Sequence, residues 1–210
     1  MKWAVLVGGT GSNLKAILEY GISISLVVSH RDNVGALKIA EDYGVPAVVL
    51  LPKNYPDRAG YDQALRKVMD RFGIEAIAMA GFLRWLHPDS IQAFPYRIVN
   101  IHPSLLPAFA GLHAIEQAYA HGVRWTGVTV HFVDEGQDTG PIIAQIPVQR
   151  LSHDSLEELA FRIHRAEHWL YPRVLEAIDK GKVEVVQSEE GQRPRVYWKG
   201  DDLTWNNGHY

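Results

Sequence analysis

Four short runs rich in apolar and β-branched residues, at 3–7, 24–28, 47–51 and 75–79, alternate with helical patterns near 12–20, 33–43 and 60–72. This alternation constrains the fold more than any other feature of the chain. Consecutive strands that are each followed by a helix run parallel, and their crossovers are right-handed. A parallel sheet must also be covered on both faces, because its strands carry apolar side chains on both. The expected fold is therefore α/β: a Rossmann-like, mostly parallel sheet with helices on both faces.

Beyond residue 124 the pattern changes. Thr129–Val133 and Pro141–Gln145 are strand-like and are joined by a short loop containing Asp134, Glu135, Gly136, Gln137 and Asp138. Two strands joined so tightly pair antiparallel. A helix is then predicted from about Ser155 to Ile178, because Leu156, Leu159, Ile163, Ala166, Leu170 and Val174 recur at spacings of three and four. Pro172 within that pattern predicts a kink or break.

The chain has 210 residues, of which 47% are hydrophobic and 21% charged, enough for one sizeable core. One domain is expected, followed by a tail over 187–210. Tyr197, Trp198, Trp205 and Tyr210 make that tail too aromatic to be read as simply disordered, and Val196–Trp198 reads as an edge strand or packed arm. A net charge of −3 provides no global attraction to nucleic acid or to a membrane surface, so neither is expected as a partner. Met1 and Lys2 lead directly into the first strand, no apolar run is long enough to span a bilayer, and the cytoplasm is the expected compartment. Without cysteine there is no thiol nucleophile and no thiolate ligand. The histidines at 102, 113, 121 and 131 do not have the spacing of a known ligand set, and no metal is expected.

Three segments carry chemistry. The first, Gly8-Gly9-Thr10-Gly11-Ser12-Asn13, leads from the strand at 3–7 into a helix. Glycines let backbone approach an anion, and the free N–H groups of a helix start favour negative charge. Leu14 stands where a dinucleotide loop has its third glycine, and no Lys-Ser/Thr follows, so the loop suits a single phosphate. A plain strand-to-helix turn capped by Ser12 or Asn13 would look similar.

The second segment is Asn100–Pro107, NIHPSLLP, at the end of an apolar strand. Asn100 and His102 are two residues apart on extended chain and share one face. An amide can donate to a developing oxyanion, and an imidazole can donate or move a proton near neutral pH, so the pair suits acyl transfer. The third is the loop with Asp138, whose carboxylates are otherwise ordinary turn residues.

Together with these segments, AGFLRWLHP (80–88), GLHA (111–114), TGVTVHFVDEGQDTGPIIAQ (126–145) and HRAEHWLYP (164–172) give a chain that resembles the phosphoribosylglycinamide formyltransferases over roughly residues 1–186. The resemblance implies the formyltransferase fold, 10-formyltetrahydrofolate as co-substrate, and Asn100, His102 and Asp138 as a catalytic trio, with Asp138 orienting His102 and keeping it protonated. It further implies that Gly9, Thr10, Gly11, Ser12 and Asn13 hold the phosphate of a phosphoribosylglycinamide, with Glu167 at its ribose or glycinamide end. The folate would lie against Arg58, Arg84, Trp85 and Leu86, with Asn100 and the loop from Asp134 and Glu135 to Asp138. A monomer or homodimer would be expected.

The chain departs from the family at Gly8, where many members carry Ser, and at Ala110, where many carry Pro; its first helix and exit loop are also short. The alternatives at this stage are another formyl-group enzyme, acting on a sugar nucleotide or methionyl-tRNA or hydrolysing formyl folate, and a non-catalytic nucleotide-binding sensor that needs only the glycine loop. The added domain that the tRNA enzymes and the hydrolases usually carry is not expected in a chain of 210 residues, which favours the other readings.

Overall fold

A computed structural model of the chain describes residues 1–188 and 192–200. The chain forms two compact units, Met1–Asn100 and Ile101–Tyr210.

The first unit alternates as expected: β1 (Trp3–Val7), α1 (Ser12–Tyr20), β2 (Ile24–Ser29), α2 (Gly35–Asp42), β3 (Ala47–Val49), α3 (Arg58–Phe72), β4 (Ala76–Ala80), α4 (Pro88–Ala93) and the start of β5 (Ile98–His102). Its strands are ordered β3-β2-β1-β4-β5 and every pairing is parallel. All five residues of β1 and of β4 are buried, so both faces of these central strands are covered. The strand order reverses between β1 and β4, and the crevice beyond their carboxyl ends is where open α/β sheets bind ligands. The loops at 8–11 and 81–87 leave from those two ends.

Two boundaries are shorter than expected. β3 stops at Val49, ahead of Pro52, which has no N–H for a ladder. α2 begins at Gly35 because Asn33 has φ 53°, outside the helical region.

The second unit contains the end of β5, α5 (Ala114–Ala120), the antiparallel hairpin β6 (Trp125–Phe132) and β7 (Ile142–Gln149), α6 (Leu156–Asp179), and the antiparallel pair β8 (Val183–Val186) and β9 (Arg195–Trp198). α6 starts in a reciprocal cap: the Glu158 N–H donates to Ser155 Oγ (3.2 Å), and the Ser155 N–H donates to Glu158 Oε2 (2.8 Å). Its apolar stripe packs on β6 and β7.

The break expected at Pro172 does not occur, and α6 runs 24 residues through it. A proline in a helix interior costs about 3 kcal/mol. Tyr171 just before it and Val174, Leu175 and Ile178 beyond it are all buried, each contributing about 1.5–3 kcal/mol. Packing outweighs the lost hydrogen bond.

The strand expected at 196–198 is β9, and its partner β8 lies before residue 187. Trp198 Nε1 donates to the Ile143 carbonyl of β7 at 3.0 Å. Trp205 and Tyr210 lie outside the described residues. Trp198→Phe keeps an aromatic ring but deletes this donor, and a net loss of about 1 kcal/mol is expected. In a chain of this size that lowers the thermal midpoint by about 2–4 °C. An unchanged midpoint in thermal unfolding would mean that the bond contributes nothing.

Candidate active site

β5 ends in Asn100-Ile101-His102. Extended geometry puts Asn100, half-buried, and His102, buried, on the same face of that strand. The His102 imidazole has an oxygen on each side: Nε2 is 2.8 Å from the Phe109 carbonyl, and Nδ1 is 3.5 Å from Asp138 Oδ2. A ring so placed can donate on both sides only when it carries two N–H groups.

Asp138 is more than a turn residue. Its φ of 53° lies in the left-handed region, a cost the surrounding structure must offset, and such strain gathers at functional sites. Its side chain is 14% exposed, and Oδ2 accepts the Gly111 N–H at 2.8 Å. Gly111 itself has φ 86°, which glycine adopts without penalty. The segment after His102 thus supplies the imidazole's acceptor at Phe109 and the carboxylate's donor at Gly111.

A further histidine completes the arrangement. His131 of β6 is buried, and its Nε2 lies 3.7 Å from Asp138 Oδ1. Burial holds its pKa below the usual 6.5, against the raising effects of the Phe132 carbonyl and of Asp138. With Nδ1–H donating to the Phe132 carbonyl at 2.8 Å, neutral His131 leaves the Asp138 charge to act on His102. From the sequence, His131 is a candidate only among the histidines weighed as metal ligands. The available signal was a polar residue inside the apolar run Thr129–Val133, where a buried group needs a partner. Among the described residues no three His, Asp or Glu side chains are grouped to hold a metal.

In the first unit, the chain leaves β1 through Gly8–Gly11 and enters α1 at Ser12. The cap is Gly11, with φ 85° and no capping side-chain hydrogen bond, so Ser12 and Asn13 lie inside the helix and not at the cap position the plain-turn alternative gave them. Gly11 is required twice over, because a Cβ there would lie 2.6 Å from Ala36 Cα as well as on a left-handed backbone. The start of α2 packs just as closely on this loop: a Cβ on Gly35 would lie 2.6 Å from the Thr10 carbonyl, and the Ala36 N–H donates to the Gly9 carbonyl at 3.2 Å. Gly9 has open space where its Cβ would be. The result is a rigid loop with an open front and an uncapped helix N-terminus, suited to an anion.

The loop at 81–87 is shaped by α3. Arg58 Nη2 donates to the Leu86 carbonyl, and buried Asp62 accepts the His87 N–H at 2.9 Å. The Arg84 guanidinium stacks over the Tyr61 ring at 4.7 Å, while its Nε is buried with no acceptor among the described residues. Leu86 is buried, whereas Leu83 and Trp85 are 61% and 53% exposed. The structure thus brings Arg58, Arg84 and Leu86 together and turns Trp85 outward.

Asp134 is a turn former, accepting the Gly136 N–H (3.0 Å) and the Thr139 hydroxyl (2.7 Å); Glu135 lies beside it in the exposed loop. Glu167 is buried on α6 and pairs with His164 one turn earlier, Nδ1 to Oε2 at 2.9 Å. That hydrogen bond raises the His164 pKa above 6.5, against desolvation. A base raised on folding stabilises fully below its unfolded value, and the contribution is lost as pH climbs through the raised one. His164→Gln is therefore expected to lower the thermal midpoint at about pH 6 and to match the parent at about pH 9. An equal deficit at both pH values would show that the charge is irrelevant.

Residues 1–175 match the family described as Formyl transferase. The chain is 40% identical over 183 residues to phosphoribosylglycinamide formyltransferase of Bacillus subtilis (strain 168), covering 84% of this chain and 94% of that protein. It is 38% identical over 203 residues to the human trifunctional purine biosynthetic protein adenosine-3, covering 93% of this chain but only 19% of that much longer protein. Among solved structures, glycinamide ribonucleotide transformylase 1 from Symbiobacterium toebii superposes with a TM-score of 0.87 at 40% identity, covering 94% of this chain and 93% of that one.

Proposed function

The chain belongs to the formyl transferase family, and from that premise we propose that it transfers the formyl group of 10-formyltetrahydrofolate to the primary amine of 5′-phosphoribosylglycinamide, a step of purine biosynthesis. The observation that carries the reading is the buried His102 imidazole with the Asp138 carboxylate 3.5 Å from Nδ1, at a strained backbone position. The amine nitrogen attacks the formyl carbon, the carbonyl oxygen becomes an oxyanion, and the bond to the folate nitrogen then breaks. Asn100 donates to the oxyanion, and His102 does so by exchanging the Phe109 carbonyl now at Nε2 for the substrate oxygen, each donor accounting for about 3–4 kcal/mol of barrier. Asp138, directly or through water, takes the proton lost by the amine and returns it to the departing folate nitrogen. No covalent enzyme intermediate is required, because holding both substrates supplies the proximity.

In this reading Gly9, Thr10, Gly11, Ser12 and Asn13 bind the phosphate, and Glu167 binds the ribose or glycinamide end. Arg58, Arg84, Trp85, Leu86, Asn100, Asp134, Glu135 and Asp138 line the folate site. Residues 1–100 form the phosphate-binding half and 101–186 the folate and catalytic half of one formyltransferase domain, with 187–210 as a tail. The protein works in the cytoplasm as a monomer or homodimer. No helix of the described residues is long and apolar enough to cross a membrane.

The test is a panel of amine acceptors supplied with 10-formyltetrahydrofolate, with loss of the formyl group from the folate followed by absorbance. Turnover with phosphoribosylglycinamide well above that with sugar-nucleotide amines or water is expected. Turnover with another acceptor, and none with phosphoribosylglycinamide, would overturn the assignment.

A further inference from the structure

His30 follows the last residue of β2, beside the loop that leaves β1, and only 6% of its surface is exposed. The space that a side chain on residue 8 would need is filled by this ring. A Cβ on Gly8 would collide with His30 Cε1 and would lie 2.6 Å from Nδ1 and 2.7 Å from Nε2. The ring is held from two sides, by the Val7 carbonyl at 3.0 Å from Nδ1 and by the Phe82 ring, which meets it edge-on at 4.9 Å. Three carboxyl-end segments of the sheet, after β1, β2 and β4, therefore converge on one imidazole.

Nδ1 faces a carbonyl and so carries a hydrogen, which leaves Nε2 of the neutral ring as a bare acceptor. Nε2 has no hydrogen-bond partner among the described residues. Arg31 and Arg84 are the charges that act on the ring among those residues, and no carboxylate is there to balance them. Desolvation first, and these cations after it, hold the His30 pKa below 6.5, so the ring of the free protein is largely neutral near pH 7.

We propose that His30, seated in the space left by Gly8, is a proton-carrying ligand of the phosphoribosyl phosphate, taking up a proton at Nε2 when the anion binds. This rests on the reading of Gly9–Asn13 as the phosphate loop. A lone pair cannot face a phosphate oxygen favourably, so a proton must lie between them; the incoming dianion supplies the negative charge that the site lacks. The acceptor becomes a charged donor only in the complex. On the adjoining loop a Cβ on Gly9 would meet no atom within 4 Å, so the backbone there is open to an anion.

The experiment follows the His30 Cε1–H resonance of the intact protein at about pH 7 as phosphoribosylglycinamide is added without folate, with calorimetry in two buffers of different ionisation heat. The resonance is expected to move to its imidazolium position and binding to take up protons, whereas His30→Gln removes the uptake. The same variant should raise KM for phosphoribosylglycinamide about tenfold and leave KM for the folate unchanged. Gly8→Ser/His30→Ala, which refills the space with a side chain from the other position, should fold as the parent does and lack the proton uptake. Normal formyl transfer with an unmoved resonance, or uptake that persists in both variants, would overturn the role of His30 alone. Absence of formyl transfer to phosphoribosylglycinamide by the parent protein would instead overturn the proposed function.

Discussion

Asp138→Asn is expected to lower kcat for formyl transfer by about a hundredfold or more while both KM values stay within a few-fold. The substitution isolates charge from shape. Asn tolerates the left-handed backbone that residue 138 adopts, and its amide oxygen can still accept the Gly111 N–H now bound at 2.8 Å. What disappears is the negative charge 3.5 Å from His102 Nδ1, and with it the group assigned to proton transfer. Steady-state kinetics, with a thermal melt to show that the fold survives, checks this. Near-parental turnover in a folded variant would remove Asp138 from the chemistry.

A comparison of two neighbouring glycines should separate folding from binding in the phosphate loop. Gly11→Val is expected to destabilise the protein by about 2–5 kcal/mol, combining a left-handed β-branched residue with overpacking. The overpacking is against main chain, Ala36 Cα at 2.6 Å, which cannot swing aside. A Cβ on Gly9 meets no atom within 4 Å, and Gly9→Val should cost less than about 1 kcal/mol. It nonetheless occupies the open front of the loop, so KM for the phosphoribosyl substrate should rise about tenfold or more with KM for the folate little changed. Denaturant melts and paired KM measurements on both variants decide the matter. Equal loss of both substrates in Gly9→Val would show that the loop does not face the phosphate.

The elements most legible in the sequence are those in which one physical signal dominates. β1 and β4 are continuous apolar runs, and a strand buried on both faces has no other way to look. The start of α6 was readable from its stripe, and its reciprocal Ser155–Glu158 cap agrees. Asp138 is the opposite case, since a carboxylate in a hairpin loop looks like any turn residue. Resemblance to a family singled it out, and its geometry then distinguishes it from Asp134, which does form an ordinary turn.

What escaped sequence reading depends on contacts between distant segments. Pro172 reads as a break because local propensity says nothing of the apolar residues buried around it. His131 gains its neighbours only when the hairpin brings residues 131 and 138 together. His30 and Gly8 share one space although 22 positions separate them in the sequence. Glu167 shows both signals, pairing with His164 as a rim carboxylate would while sitting buried as a functional group can.

The loop at 81–87 is braced from behind. Its restraints come from α3 and end on the Leu86 carbonyl, the His87 N–H and the stacked Arg84 guanidinium, while Leu83 and Trp85 project outward and take no part in them. Frame and facing are therefore inherited separately. Exchange of Leu83 or Trp85 alters what the loop presents without altering the path of its backbone, so ligand preference can drift one residue at a time in a protein that stays folded. Asp62 has the reverse character, because it is buried and holds the His87 N–H, so its loss acts on the path of the backbone and not on what the loop presents.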